Sequence, residues 1–266
     1  MIRLFGTGRE EITAACLGYP AHNDLAGYAQ DYANDIVVRW GNSSRLLSRD
    51  ECDHREFAHV VNPAKAIVLN CDKLRSSQRM GEVVGIPRIF ERKVPDGVTA
   101  VLRPREHSAG EGFKIVKGPL EFDGCYYATE FLKTDMEVRV WFCGQRTMVG
   151  KRARSADHSE YPCRSSWGYE FRHAFDPKLD AETLKAAKMI GLEVGAADVL
   201  CKDGERYFLE LNSGCSVDHR AIREFFQEAL PELLEGKFEH YRELCDNQDS
   251  AAIHNTPSPK PHKVHA

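Results

Sequence analysis

Apolar and polar positions alternate along this chain in short runs, and helical spacing interrupts them at a few places. Ile2 to Phe5 reads as a strand, Gly6-Thr7-Gly8 as a turn and Glu10 to Leu17 as a helix. Asp35 to Trp40 is a second strand, closed by Gly41-Asn42-Ser43-Ser44, and Ala66 to Leu69 a third. Cys71 to Val84 has helical spacing, with Met80, Val83 and Val84 on one face, and Gly85-Ile86-Pro87 stops it. Four strand candidates follow: Arg88 to Lys93, Thr99 to Arg105, Phe113 to Val116 and Tyr126 to Leu132. Met136 to Cys143 and Thr147 to Ser155 form a further strand pair about Gly144-Gln145. Residues 156–173 are polar and irregular, a candidate covering loop. Asp180 caps a helix to Ile190, with Gly191 at its C-terminal end. Closing helices are expected over Val217 to Leu230 and Pro231 to Leu244, broken at Pro231, with disorder from Asp246.

The most informative stretch is AADVLCKDGERYFLELNSG, from Ala196 to Gly214. Its runs of strand formers flank Lys202-Asp203-Gly204 and carry Asp198, Glu210 and Asn212. A two-residue Asp-Gly turn pairs Lys202 with Glu205 and sends Asp198 and Glu210 to opposite faces. A three-residue loop with Gly204 at φ > 0 restores the parity and puts all three side chains on one face. Two carboxylates and an amide oxygen are hard ligands suited to Mg²⁺. The same pattern is that of an amphipathic hairpin with a polar outer face.

Composition narrows the class. The 266 residues are 42% hydrophobic and 29% charged, typical of a globular protein with a sizeable core. The net charge of −4 gives no bulk electrostatic case for nucleic acid or membrane. Nine cysteines lie scattered without metal spacing, and no apolar run reaches membrane-spanning length. Free thiols in a reducing cytoplasm are the expectation, without a targeting peptide.

Other candidate chemistry is local. Gly6-Thr7-Gly8 lacks the full GxGxxG spacing. HSAGEGF, from His107 to Phe113, has the small residues that let backbone N–H groups cradle phosphate, and also those of a plain hairpin loop. Lys151, Arg152 and Arg154 form a cationic cluster in which the two arginines share a face. Such a run is a solvated surface, or in a cleft it neutralises phosphate or carboxylate. Cys215 has no assignable base and reads as a pocket residue, while His107 and His219 read as structural or substrate-facing.

From Asn62 to Ser216 the order of these parts resembles the ATP-grasp superfamily, especially its ribosomal-protein glutamate ligases and D-alanine–D-alanine ligases. GLEVGAADVLCKDGERYFLELNSG looks like the family's metal-binding hairpin, which makes Asp198, Glu210 and Asn212 the Mg²⁺ ligands. NPAKAIVLNCDKLRSSQRMGEVVGIP looks like the helix entering the ATP region, with Lys73 on phosphate. VLRPREHSAGEGF resembles the strand and glycine loop over the phosphates, implicating Arg103, Ser108, Gly110 and Gly112; the family usually has Lys where this chain has Arg103. YATEFLKTDMEVRV resembles the hinge, with Glu130, Phe131 and Leu132 at adenine, Glu137 at ribose and Arg139 at phosphate or the acyl phosphate. Arg152 or Arg154 corresponds to an arginine at the reacting centre, with Lys151 in the same catalytic cluster. Ala196 and Ala197 stand where some members have an arginine, which argues against D-alanine–D-alanine ligase itself.

The resemblance implies an α/β fold in which two lobes grip ATP. A small N-terminal lobe over 1–70 is expected, then an ATP-grasp domain over 71–245 with lobes 71–133 and 134–245, then a tail over 246–266. It implies a ligase using ATP and one or two Mg²⁺ ions to join a small-molecule or peptide carboxylate to an amine through an acyl phosphate. A homodimer is compatible with it. The alternatives on the same fold are a phosphotransferase and a nucleotide-binding module without turnover.

Overall fold

A computed structural model of the protein describes residues 2–6, 10–19, 21–22, 36–41, 59–107, 112–134, 136–152, 169–172 and 176–254. The chain begins with a parallel four-stranded sheet, ordered β2-β1-β3-β4: β1 (Ile2–Gly6), β2 (Ala21–His22), β3 (Ile36–Trp40) and β4 (His59–Val61). Helix α1 (Glu10–Leu17) connects the first two strands. All five residues of β3 are buried, as a parallel strand covered on both faces requires.

Two short helices, α2 (Ala64–Cys71) and α3 (Lys73–Met80), lead into a mostly antiparallel region. A four-stranded sheet runs β5-β10-β7-β8: β5 (Ile89–Phe90), β7 (Thr99–Pro104), β8 (Lys114–Lys117) and β10 (Tyr126–Glu130). β6 (Lys93–Val94) and β9 (Leu120–Glu121) pair beside it. The largest sheet is five-stranded and antiparallel, ordered β13-β12-β11-β14-β15. Its strands are β11 (Met136–Cys143), β12 (Arg146–Arg152), β13 (Tyr169–Arg172), β14 (Val194–Lys202) and β15 (Glu205–Asn212).

Period-two alternation sorts this sheet's residues between two cores. Val138, Val140, Phe142, Ala197, Val199 and Phe208 pack on α2, α3 and α4 (Pro177–Ile190). Trp141, Cys143, Val194 and Ala196 face the other way, onto Trp40 and onto Phe226 and Leu230 of α5 (Arg220–His254). Glu137, Arg139 and Asp198 continue that second face beyond the apolar cluster.

Several elements differ from the sequence reading. Ala66 to Leu69 is helical, following Pro63 in extended conformation, and the third parallel strand is His59–Val61. The helix expected over Cys71 to Val84 is split at Asp72, which leaves helical geometry to cap α3 by accepting from Arg75 N at 3.2 Å. α4 begins at Pro177 under an Asp176 cap, ahead of Asp180, and Gly191 ends it at φ 87°. Pro231 lies inside α5 without ending it, and that helix carries on to His254 through residues expected to be disordered. Gly6-Thr7-Gly8 beyond Gly6 and most of the 156–173 stretch lie outside the described residues; within it, Tyr169–Arg172 is a strand. Among the described residues no helix is long and apolar enough to cross a membrane.

One buried side chain joins the N-terminal sheet to the large one. Asn62, fully buried at φ 58°, donates from Nδ2 to Arg39 O (3.0 Å) and Val194 O (2.9 Å). Its Oδ1 accepts from Glu193 N (2.9 Å) and Val194 N (3.1 Å). Asn is among the few side chains that tolerate the left-handed region. Asn62→Ala therefore leaves buried backbone groups unpaired and strains the backbone. The expected loss is about 3 kcal/mol or more in urea unfolding; a loss below about 1 kcal/mol counts against this link between the sheets.

Candidate active site

The hairpin reaches common-face parity by a different device from the three-residue loop. Lys202 does pair with Glu205, so the turn is the two-residue Asp203-Gly204, both at positive φ (52° and 80°). The register then shifts between Asp198 and Val199: Val199 opposes Phe208 and Asp198 opposes Glu210, so Leu209 is the extra residue of a β-bulge. The bulge returns Glu210 and Asn212 to the face of Asp198.

Register builds a row across the sheet on that face: Phe171, Gly150, Arg139, Asp198 and Glu210 are successive cross-strand neighbours. Arg139 grips Asp198 with two parallel bonds, Nε to Oδ1 and Nη2 to Oδ2, both 2.7 Å. Arg152 adds a bond to Oδ1 at 3.2 Å and pairs with Glu137 at 2.8 Å. Asn212 Nδ2 lies 3.2 Å from Asp198 Oδ2 and 3.3 Å from Glu210 Oε1. Lys73, from α3, comes to 3.9 Å from Glu210 and donates to Leu211 O at 2.9 Å. Three carboxylates thus meet three cations in one place.

Burial alone raises the Asp198 carboxyl, but the charge and hydrogen bonds of Arg139, then Arg152 and Lys73, outweigh it and hold the group below the ordinary carboxylate value. Burial lowers Arg139 and Arg152, and the facing carboxylates overcome it in each. Gly150 is required by close approach: a Cβ there meets Trp141 at 2.8 Å and Tyr169 at 3.2 Å. The interior glycine of TMVGKRARS was the available sequence signal for this contact.

The four-stranded sheet brings further polar groups toward α3 and Lys73. Arg103 on β7 and Tyr127 on β10 are direct partners and hydrogen-bonded, and Tyr127 also bonds Ser77 of α3. They lie on the face turned from the small core of Ala100 and Ala128. The Arg103 guanidinium stacks on Phe113, 4.8 Å from its centroid. Burial pushes His107 down to about 4, with Lys73 and Arg103 adding to the effect and Glu210 opposing it. Three buried polar atoms here, Arg103 Nε, His107 Nε2 and Thr129 Oγ1, have no hydrogen-bond partner among the described residues. Orphaned polar atoms of this kind mark where a polar ligand fits.

The remaining predicted residues divide. Lys151 pairs with Val138 and Glu170 and takes the opposite face from Arg152, so the structure does not bring it to the row. Arg154, Ser108 and Gly110 lie outside the described residues. Gly112 sits at φ 75°, where a Cβ meets Pro104 at 2.9 Å. Glu130 ends β10, and Phe131 and Leu132 follow it toward β11; Glu130 N donates to Arg88 O (2.8 Å) and Phe131 N to Thr99 O (3.0 Å). Cys215 is buried and burial pushes its thiol up to about 12, which disfavours the thiolate a nucleophile needs. His219 stacks on Phe171 at 4.5 Å, at the start of α5. Sequence reasoning missed Asn70, which donates to Leu211 O at 3.1 Å beside Lys73.

Among the described residues no three His, Cys, Asp or Glu side chains are arranged to hold a metal ion. The hairpin trio has two carboxylates, and its third donor is an amide. The two carboxylates converge on the Asn212 amide, whose oxygen becomes a third hard donor for a cation with the amide turned over.

No protein-family model matches the chain and no curated protein matches its sequence. Solved structures do match its fold. D-alanine–D-alanine ligase from Bacillus anthracis superposes with a TM-score of 0.67 at 14% identity, covering 91% of this chain and 98% of that one. Macrocyclase MdnC bound with precursor peptide MdnA, from Microcystis aeruginosa MRC, gives 0.58 at 13% identity over 89% and 100%. The ATP-grasp ligase PsnB complexed with minimal precursor gives 0.58 at 14% over 82% and 91%.

The state of His107 predicts a pH dependence. Its folded value, about 4, lies below the ordinary 6.5. Above pH 6.5 the ring is neutral folded or unfolded. As pH falls from 6.5 to about 4 the unfolded chain binds the proton first, so stability drops, by up to about 3 kcal/mol. Urea unfolding across that window is expected to show a shallower decline for His107→Phe than for wild type. Parallel curves would refute the assignment.

Proposed function

We propose that this chain, which has the ATP-grasp fold, is an ATP-dependent ligase joining a carboxylate to an amine. In that reaction a carboxylate oxygen takes the γ-phosphoryl group of ATP and ADP leaves. The amine nitrogen then bonds the acyl carbon, phosphate leaves, and the amine's proton passes to solvent. The observation that carries the reading is the charge match on one sheet face: Lys73, Arg139 and Arg152 against Glu137, Asp198 and Glu210. Phosphoryl and acyl transfer of this kind needs neutralised charge rather than a protein nucleophile. The high thiol value of the neighbouring Cys215 agrees with that.

In this reading the nucleotide lies between the four-stranded sheet of lobe 71–133 and the five-stranded sheet of lobe 134–245. Lys73, Arg103 and the loop ending at Gly112 take the phosphates; Glu130, Phe131 and Leu132 take adenine. Glu137 anchors Arg152 through one oxygen and takes the ribose hydroxyls. Asp198, Glu210 and Asn212 hold Mg²⁺, which when bound supplies charge that neutralises phosphate oxygens. Arg139, locked to Asp198 at 2.7 Å, presents a preorganised guanidinium to the acyl phosphate, with Arg152 beside it. No arginine precedes Asp198, and Arg139 fills the role from the neighbouring strand. Two structural neighbours are bound to a precursor or precursor peptide, which supports a peptide as one substrate.

Glu210→Gln tests the assignment, because that side chain is 23% exposed and the change is isosteric. The variant is expected to keep wild-type circular dichroism and lose about 10²- to 10³-fold in kcat for ADP release. Wild type is expected to release ADP and phosphate only when acid and amine are both supplied. AMP as product would favour phosphotransfer instead. ATP binding without ADP from any acid–amine pair would favour a binding module.

A further inference from the structure

His107 holds a position that neither the metal trio nor the cation pair explains. The backbone leading to it is fixed from both sides. Lys73 N donates to Arg105 O and Arg105 N to Cys125 O, each at 2.9 Å. The Arg105 guanidinium pairs with Asp72 at 2.8 Å. Two residues on, the imidazole stands edge-on to Phe113, with centroids 4.5 Å apart and planes at 82°. Phe113 also carries the Arg103 guanidinium. The ring therefore has a set plane within electrostatic reach of Lys73, Arg103 and Glu210. Its Nε2 is buried and has no partner among the described residues.

An orphaned buried nitrogen destabilises the ligand-free protein, and a phenyl ring in its place does not carry that cost. Such a group persists where a ligand satisfies it. Glu210, the carboxylate whose charge acts on the ring, is already engaged by Asn212 and Lys73. Two cations beside the imidazole favour an anionic ligand.

The geometry points to His107 as a phosphate contact of the nucleotide, donating a hydrogen bond from Nε2 to a phosphate oxygen beside Lys73 and Arg103. This rests on the ligase reading only in placing the nucleotide phosphates there. No bond is made or broken at the imidazole; it binds and orients. A neutral ring suits the task, since Nε2–H donates without adding a third full positive charge to Lys73 and Arg103.

The test compares wild type, His107→Phe and His107→Gln by calorimetric titration with ATP, ADP and adenosine, alongside thermal melts without ligand. His107→Phe is expected to melt at or above the wild-type temperature, yet to bind ATP and ADP about tenfold or more weakly. Its adenosine affinity should stay within about twofold, and His107→Gln, which restores a donor, should recover most of the loss. A purely structural role would move stability and all three ligands together. Equal ATP affinity in wild type and His107→Phe overturns the contact and leaves the ligase reading standing. So does an equal loss for adenosine, which would place the contact on the nucleoside. A wild-type protein that binds no ATP overturns both.

Discussion

The Asp198 carboxylate sets the terms for the rest of this molecule. It is buried, and it accepts four hydrogen bonds, from Arg139 twice, from Arg152 and from Asn212. A buried carboxylate is tolerated only when its lone pairs are met and its charge balanced. Meeting them needs side chains from β11, β12 and β15 around one residue of β14, and that fixes the strand order β12-β11-β14-β15. The bulge at Leu209 belongs to the same constraint, because without it Asn212 and Glu210 sit on the apolar face among Val199 and Phe208. Gly150 belongs to it too, since its missing side chain lets Trp141 and Tyr169 close beside Arg139.

The edge of the large sheet is where the preceding chain is joined to it. β15 is an outer strand, and its free carbonyls and amides would otherwise invite pairing. Here they are taken by preceding chain. Leu211 O accepts from both Lys73 and Asn70, and Phe208 N donates to Gly85 O at 2.8 Å. Gly85 has to be a glycine for this approach, since a Cβ there lies 2.5 Å from Arg206 O. The capping of a sheet edge and the delivery of Lys73 to Glu210 are thus one structural event. The same helix start, through Asp72 and Lys73 N, holds the end of β7 that carries Arg103 and leads to His107.

Much of this was legible in the sequence, and what was not has identifiable causes. The type and order of most elements from Thr99 onward followed from period-two alternation and glycine punctuation, and the superposed ATP-grasp structures agree with the fold class. Parity predicts the common face of Asp198, Glu210 and Asn212, but through a three-residue loop where the structure has a two-residue turn and a bulge. A β-bulge leaves no distinct mark in LELN, and Asp-Gly serves two- and three-residue loops alike. Ala66 to Leu69 was misread because four apolar residues fit a strand or a helix, and only packing of Ala66, Ile67 and Asn70 on one side decides. Pro231 was overweighted as a breaker where packing of Leu230 and Leu234 holds the helix together. Lys151 and Arg152 are adjacent in sequence, and strand alternation necessarily separates them.

The two sheets differ in how their polar groups are partnered. On the five-stranded sheet Arg139 and Asp198 hold each other through two paired bonds, with Arg152 and Asn212 adding one each, while Trp141 Nε1 on the same face has no partner among the described residues. On the four-stranded sheet and the segment after β7, Arg103 Nε, His107 Nε2 and Thr129 Oγ1 are buried without partners among the described residues. That asymmetry has a physical consequence. In the proposed ligase, a ligand completes hydrogen bonds beside β7 and β10, whereas beside β11 and β14 it competes with bonds already made, above all the paired bonds of Arg139 to Asp198. The β11 and β14 side then contributes fixed charge whose reorganisation was completed when the protein folded.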